Sequence, residues 1–277
     1  MITKLRPHTY SIYAYVPGIL GQMEIDNVTV SPDSTTDLGT ITWNPAHQEQ
    51  LLFQVGTPDR SAGEFRFGNL PRQFGLWWRY YDEVGSADLN YNVGSSTPED
   101  WYYAQPVIAA PDGTFVAPRW NINFDVSEIA PGPATLTVAL AGASGSGVFH
   151  VYVNGTDISP DSYHGIYTIN DTALYRDAVK TGQYQTYALP FDPSLLQVGS
   201  NTVSITVRKT GSSTWTGTRP VLPAYGLMYD CVQLEAGQQV PESLGYNISV
   251  APISKTITGQ KKTTYTPLPV RKASPRR

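Results

Sequence analysis

The residues that could do acid–base chemistry in this chain are few and scattered. A hydrolase or lyase needs a base and an acid held near the scissile atoms. The histidines are His8, His47, His150 and His164. His8 and His47 sit beside turns or connectors. The run VFHVYV places His150 inside a strand, on the face opposite Phe149 and Val151. His164 lies in a loop with Tyr163 and Tyr167. No H-x-x-x-H or C-x-x-C spacing accompanies them, so the sequence offers no transition-metal set. Cys231, in an apolar strand pattern, reads as a buried core thiol and not as a nucleophile. There is no G-x-S-x-G and no glycine-rich phosphate loop. Neighbouring carboxylates occur as Asp59 with Glu64, Asp82 with Glu83 and Glu99 with Asp100. A glycosidase sets two such groups about 5–9 Å apart across a bond, and nothing in the spacing specifies that. Salt bridges and turn caps are their plainer use, with Arg60 or Arg66 pairing Asp59 or Glu64, and Asp59 accepting backbone donors in an Asx-turn.

A second chemistry is sugar contact, in which aromatic faces meet the apolar face of a pyranose and Arg, Asn, Gln and Asp line the rim. Residues 51–105 are dense in rings and in interleaved charge. Candidates there are Trp77, Trp78, Tyr80, Trp101 and Tyr103, with Arg60, Arg66, Arg72 and Arg79, cations that would favour an acidic glycan. Rings also give a polar-rich β domain much of its apolar area, so most of them are expected in the core. Adjacent Trp77 and Trp78 cannot point the same way in an extended strand, which makes one of the two a groove candidate.

The elements that must position these groups read as strands. TYSIYAY (9–15), IDNVTV (25–30) and LGTITW (38–43) are short strands, too few for an independent core. They fit either a flap or the end of a β-sandwich whose earlier strands are missing. LLFQV (51–55) enters the aromatic block. Residues 72–81 suggest a short helix or irregular turn with Trp77 and Tyr81 on one side. Strands follow at 88–93, 101–105, 120–126, 134–140, 148–153, 184–189, 201–207 and 225–234, with a turn at 111–113, a small-residue loop at 141–147, a long loop at 161–176 and one helical turn at 193–196. Two packed sheets in jelly-roll manner are the expected architecture. Residues 1–46, 50–236 and 237–277 form the expected divisions, the last a weakly structured to disordered basic tail.

Composition agrees. Charged residues make up 15% of 277, and Gly and Pro number 24 and 22, as in a loop-rich all-β protein. Residues 255–277 hold seven Lys or Arg and no acid, whereas residues 1–254 hold 12 basic and 23 acidic groups. An acidic body argues against nucleic acid as partner. A lone cysteine excludes an internal disulfide. No apolar run approaches transmembrane length, and no signal peptide precedes the first strand. Sequons at Asn27, Asn154, Asn170 and Asn247 are glycosylation candidates in a secretory setting.

The ordered series HTYSIYAYVPG (8–18), LGTITWNP (38–45), LLFQVGTPDRSAGEF (51–65), RQFGLWWRYYDE (72–83), DLNYNVGSS (88–96), DWYYAQ (100–105), WNINFDV (120–126), ATLTVALAGASG (134–145), VYVNG (151–155), GSNTVSITV (199–207) and GLMYDCVQLE (226–235) resembles the non-catalytic C-terminal half of polysaccharide lyase family 4, the rhamnogalacturonan lyases. The resemblance implies a galactose-binding-like jelly roll over 50–236, preceded by the last strands of a fibronectin-like or transthyretin-like domain. Members are implied to be secreted three-part enzymes that cleave the rhamnose–galacturonate bond of rhamnogalacturonan I by β-elimination, using a Lys and a His of an N-terminal domain with no counterpart here. No catalytic residue carries over. Gln54 stands where the family often has an acid, and His164-Gly165-Ile166-Tyr167 resembles what is left of a family loop, with Tyr163, His164 and Tyr167 as loop contacts. The implied partners are rhamnogalacturonan I or a lyase catalytic domain, and no cofactor is implied. Jelly-roll glycan modules often hold structural calcium, but no acidic cluster here has a clear ligand spacing. The alternatives are a stand-alone lyase or other glycan-active enzyme working through His164 and Tyr163, and a purely structural sandwich.

Overall fold

The computed structural model describes residues 2, 4–43, 49–70, 76–109, 115–129, 131–145, 148–171, 173–174, 180, 182–208, 215–216, 219–220, 225–237 and 248–249. In chain order the strands are β1 (His8–Ala14), β2 (Met23–Val30), β3 (Thr42–Trp43), β4 (Gln50–Gly56), β5 (Leu89–Asn92), β6 (Ala104–Ala109), β7 (Phe115–Val116), β8 (Trp120–Val126) and β9 (Ala134–Gly145). They continue with β10 (Val148–Val153), β11 (Thr156–Asp157), β12 (Ile166–Tyr167), β13 (Gln185–Phe191), β14 (Gly199–Arg208), β15 (Trp215–Thr216), β16 (Arg219–Pro220), β17 (Tyr225–Ala236) and β18 (Ile248–Ser249). Helix α1 (Trp78–Val84) lies between β4 and β5, and single 3-10 turns occupy Pro98–Asp100 and Pro193–Leu195.

The chain divides into two compact units. The smaller contains β1 and β2, an antiparallel pair with a bulge between Tyr10 and Ile12, and the short pair β3–β18. The larger is a two-sheet β-sandwich, so the class is all-β as the sequence implies. One sheet runs β13-β9-β17-β6-β7. Strand β9 flanks β17 along its length, while β6 and then β4 pair with successive halves of its other edge. The second sheet runs β11-β10-β14-β8-β5, with β12 also on β10 and β5 parallel to β8.

Period-2 alternation sends Trp120, Ile122, Phe124 and Val126 inward from β8, where they meet Val203, Ile205 and Val207 of β14 and Leu136, Val138 and Leu234 of the opposite sheet. All residues of β17 are buried. Its second face is covered near Cys231 by Leu20 and Tyr184, which pack with Ala139. Residues Tyr15–Gln22, which carry Leu20, thus belong to the larger unit.

Several expectations change. The strand expected over 38–43 is confined to Thr42–Trp43. The one expected over 101–105 begins at Ala104, because Trp101 leaves a 3-10 turn. The small residues 141–145 continue β9 instead of looping: Ala143 and Ser144 are buried, and a Cβ on Gly142 would press on Asp171 and on Met228 of β17. The turn expected at 111–113 and nearly all of the tail from 238 lie outside the described residues.

Candidate functional site

Four of the proposed sugar-facing rings, Trp77, Tyr80, Trp101 and Tyr103, lie in the core. Trp77 is 1% exposed, Trp101 0% and Tyr103 1%. Trp77 caps the start of α1 in helical conformation, and residues 77, 80, 81 and 84 turn one face toward the sandwich. Residues 77 and 78 therefore do not sit in the extended strand that would separate their faces. Trp101 meets Trp120 edge-on at 4.8 Å and Tyr229 at 5.2 Å, while Tyr80 packs on Tyr102 and Trp120. Burial raises the Tyr80 phenol to about 12. Such rings stabilise the sandwich and have no face to offer a sugar. Arg79 is exposed, whereas Arg72 and the side chain of Trp78 lie outside the described parts.

The charges of the block hold it together. Arg66 donates to Glu83 from Nε at 2.8 Å and Nη2 at 3.2 Å, and Tyr102 donates to the same carboxylate at 2.7 Å. Arg66 holds the Glu83 carboxyl below its ordinary range. Asp100 caps its own 3-10 turn through Thr97. The pairing expected for Arg60 and Arg66 with Asp59 or Glu64 is replaced: Arg60 lies over Tyr15 at 4.0 Å and Tyr184 at 4.6 Å and bonds Gln22.

The loop 161–169 does present two rings and one aliphatic side chain to solvent. Tyr163 is 78% exposed, Tyr167 67% and Ile169 53%. Asp161 organises the turn, its Oδ1 accepting from the backbone N–H of Tyr163 at 2.9 Å and of His164 at 2.8 Å, and its Oδ2 meeting His164 Nδ1. Those bonds, led by the His164 N–H, lower the Asp161 carboxyl. Strand β12 then pairs with Val148 and Phe149. Arg208 donates to the Tyr163 carbonyl at 3.1 Å, and the Tyr187 hydroxyl to that of Tyr167 at 3.2 Å. Gly165, at φ +78°, lies against His150, whose ring a Cβ would strike. His150 itself is buried on Asp157 at 2.9 Å.

A cavity of about 540 Å³ opens between residues 57–70 and Lys180, and Asp59, Ser61 and Glu64 line it. Its wall is pinned by a residue the sequence reading left unassigned. Asp230 is the extra residue of a bulge between Tyr229 and Cys231. Its Oδ1 accepts from the backbone N–H groups of Asp59, Arg60 and Ser61 at 3.0, 2.7 and 3.1 Å. Asp230 thereby takes the role expected of Asp59, whose own Oδ1 is buried without a partner. Burial outweighs those bonds and pushes the Asp230 carboxyl up to about 7, and burial likewise raises Glu64. The signal that could have revealed Asp230 was an acid inside an otherwise apolar run. Among the described residues no group of three His, Cys, Asp or Glu is placed to hold a metal.

The sequons separate as well. Asn27 and Asn170 are exposed. Asn154 is a poor acceptor for glycan, because its Nδ2 donates both to the Leu195 carbonyl and to Asn201 Oδ1 at 2.8 Å. Asn247 lies outside the described residues.

Residues 51–234 match the family model "Polysaccharide lyase family 4, domain III", and residues 1–38 match domain II of the same family. The chain belongs to polysaccharide lyase family 4. A rhamnogalacturonate lyase of Dickeya dadantii is 31% identical over 215 residues, covering 74% of this chain and 33% of that protein. A protein of Neosartorya fischeri named "Probable rhamnogalacturonate lyase B" is 29% identical over 263 residues, covering 82% of this chain and 39% of its own length. The chain thus spans between a third and two fifths of the length of these relatives. Among solved structures, a β-porphyranase of glycoside hydrolase family 86 from Bacteroides plebeius aligns with 50% of the chain at 21% identity and a TM-score of 0.26, too slight a likeness to argue from. No helix of the described residues is long and apolar enough to cross a membrane.

Proposed function

We propose that this chain is the accessory part of an extracellular rhamnogalacturonan lyase-like protein, contacting pectic glycan and supporting a catalytic domain without itself cleaving the polymer. The observation that carries the reading is the match to domains II and III together, over residues 1–38 and 51–234. Among the described residues, the candidate rings open to glycan are Tyr163 and Tyr167, with His164 between them and Arg208 beside them. An exposed phenol can stack on a sugar ring, and a nearby guanidinium suits a galacturonate carboxylate.

The test is titration of the chain with rhamnogalacturonan I oligosaccharides, followed calorimetrically, beside an ultraviolet assay for unsaturated product. Binding that weakens about tenfold in Y163A/Y167A, with no product formed, is the expected result. Product released by the chain alone would sink the non-catalytic reading and favour chemistry at His164. Absence of binding at millimolar glycan would leave only the supporting role.

A further inference from the structure

The outer face of the β14 sheet carries two rows of side-chain amides that the glycan loop does not use. Strand β8 faces solvent with Asn121, Asn123 and Asp125, and β5 with Asn90 and Asn92. The register sets Asn90 opposite Asn121 and Asn92 opposite Asn123, with Ser204 and Thr202 next in line on β14. Ser204 Oγ donates to Asn121 Oδ1 at 2.7 Å, and Asn121 Nδ2 donates to Asn90 Oδ1 at 3.0 Å. In the second row Thr202 Oγ1 donates to Asn123 Oδ1 at 2.9 Å, and Asn123 Nδ2 to Asn92 Oδ1 at 3.0 Å. Both rows run the same way, from hydroxyl to amide to amide, and end on exposed side chains at the sheet edge.

Asn and Asp are among the poorest strand residues. Thr would give the same wet outer face with a better strand propensity. Placing five such residues on the solvent face of two paired strands sets local propensity against the fold, and conflicts of that kind concentrate at functional sites. Each amide offers an acceptor and donors in one plane, which is what a pair of vicinal hydroxyls complements. Successive amides stand about 4.8 Å apart across the strands and about 6.6 Å along them. Aligned hydrogen bonds also polarise the terminal donors. Charge decides the ligand class. The amide rows are neutral, with Asp125 beyond one end and, toward the other, Asp88 beside Arg119, whose guanidinium lies 5.3 Å over Tyr152. A polyanion gains nothing from such a face as a whole, whereas an uncharged glycan meets no unpaired charge.

We propose that the face formed by Asn90, Asn92, Asn121 and Asn123 binds an uncharged oligosaccharide through its vicinal hydroxyls. It lies at the edge of the sheet opposite the β12 loop, so it is a second glycan site and does not depend on the first.

The full chain, labelled with 15N, is titrated with a galactotetraose as neutral probe and with a trigalacturonate as charged comparator. The expected result is a shift of the side-chain amide signals of these four residues with the neutral probe at about 10 mM or below, and weaker shifts with the uronate. N90A/N92A alters only exposed edge side chains and is expected to weaken binding by about fivefold or more, with an unchanged melting temperature. N121T/N123T is expected to abolish binding while the melting temperature holds or rises, because Thr favours strands. Shifts centred elsewhere, no shift at that concentration, uronate bound as well as the neutral sugar, or N90A/N92A binding like the parent would each overturn the proposal. Should N121T/N123T fail to fold, N90A/N92A alone decides.

Discussion

Gln105 shows how a single buried amide can join two sheets. It is 0% exposed. Its Nε2 donates to the carbonyls of Pro118 and Ile205 at 3.1 Å, and its Oε1 accepts from the Tyr229 hydroxyl. Removing it leaves a phenol and two carbonyls unsatisfied in an apolar interior, so Q105A is expected to cost about 2–4 kcal/mol, checked by urea denaturation. Asp230 makes the opposite kind of contribution. Its carboxyl, raised from 3.8 to about 7 by burial, is faced by Asp59, Tyr184 and Cys231. The folded chain therefore holds a proton between those values that the unfolded chain has released. Stability is full at the acid end of that window, falls as pH rises through it, and stays low above about 7. D230N keeps the oxygen that accepts from residues 59–61 and removes the charge. At pH 8 it is expected to be more stable than the parent by on the order of 2–4 kcal/mol, with the difference shrinking toward pH 4. A variant destabilised equally at both pH values would contradict this account.

At the scale of elements, β17 organises the larger unit, because every residue in it is buried and three strands pair with it. Its bulge at Asp230 turns a carboxylate toward the 59–61 backbone. Gly56 of β4 sits opposite Cys231 at φ +83°, where a Cβ would run into the Asp230 carbonyl and the Phe65 ring. G56A is thus expected to lose at least about 2 kcal/mol, with the 59–61 amides losing hydrogen-exchange protection first. The loop closed by β12 behaves differently. Its rings face water, so Y163A and Y167A are expected to leave the melting temperature within about 2 °C of the parent while altering glycan binding.

At the scale of the whole molecule, the residues that complete the larger unit do not form one continuous run. The segment Tyr15–Gln22 groups with it, and Leu20 covers Cys231. Burial raises the thiol well above its ordinary range, so Cys231 is expected to resist a maleimide at neutral pH in the native chain. L20A opens that cover and is expected to speed labelling by about tenfold or more, with a loss of about 2 kcal/mol. Equal labelling rates would show that Tyr184 alone protects the thiol.

The alternation of TYSIYAY, WNINFDV and NTVSITV, with Gly and Pro turns between, was enough to define an all-β chain, and the motif series was enough to place it beside the rhamnogalacturonan lyases. Both signals are local, because strand period and turn chemistry need only near neighbours. Which aromatics face a ligand was not local. Trp77 entered the core because α1 turned it inward, and Trp101 because a 3-10 turn set it between Trp120 and Tyr229. The three N–H bonds to Asp230 span about 170 positions of chain, and the amide rows pair residues 31 positions apart. Sequence determined the all-β class, most of the strands and the family. Only tertiary packing decided which side chains met, because burial and cross-strand register arise when distant segments close on one another.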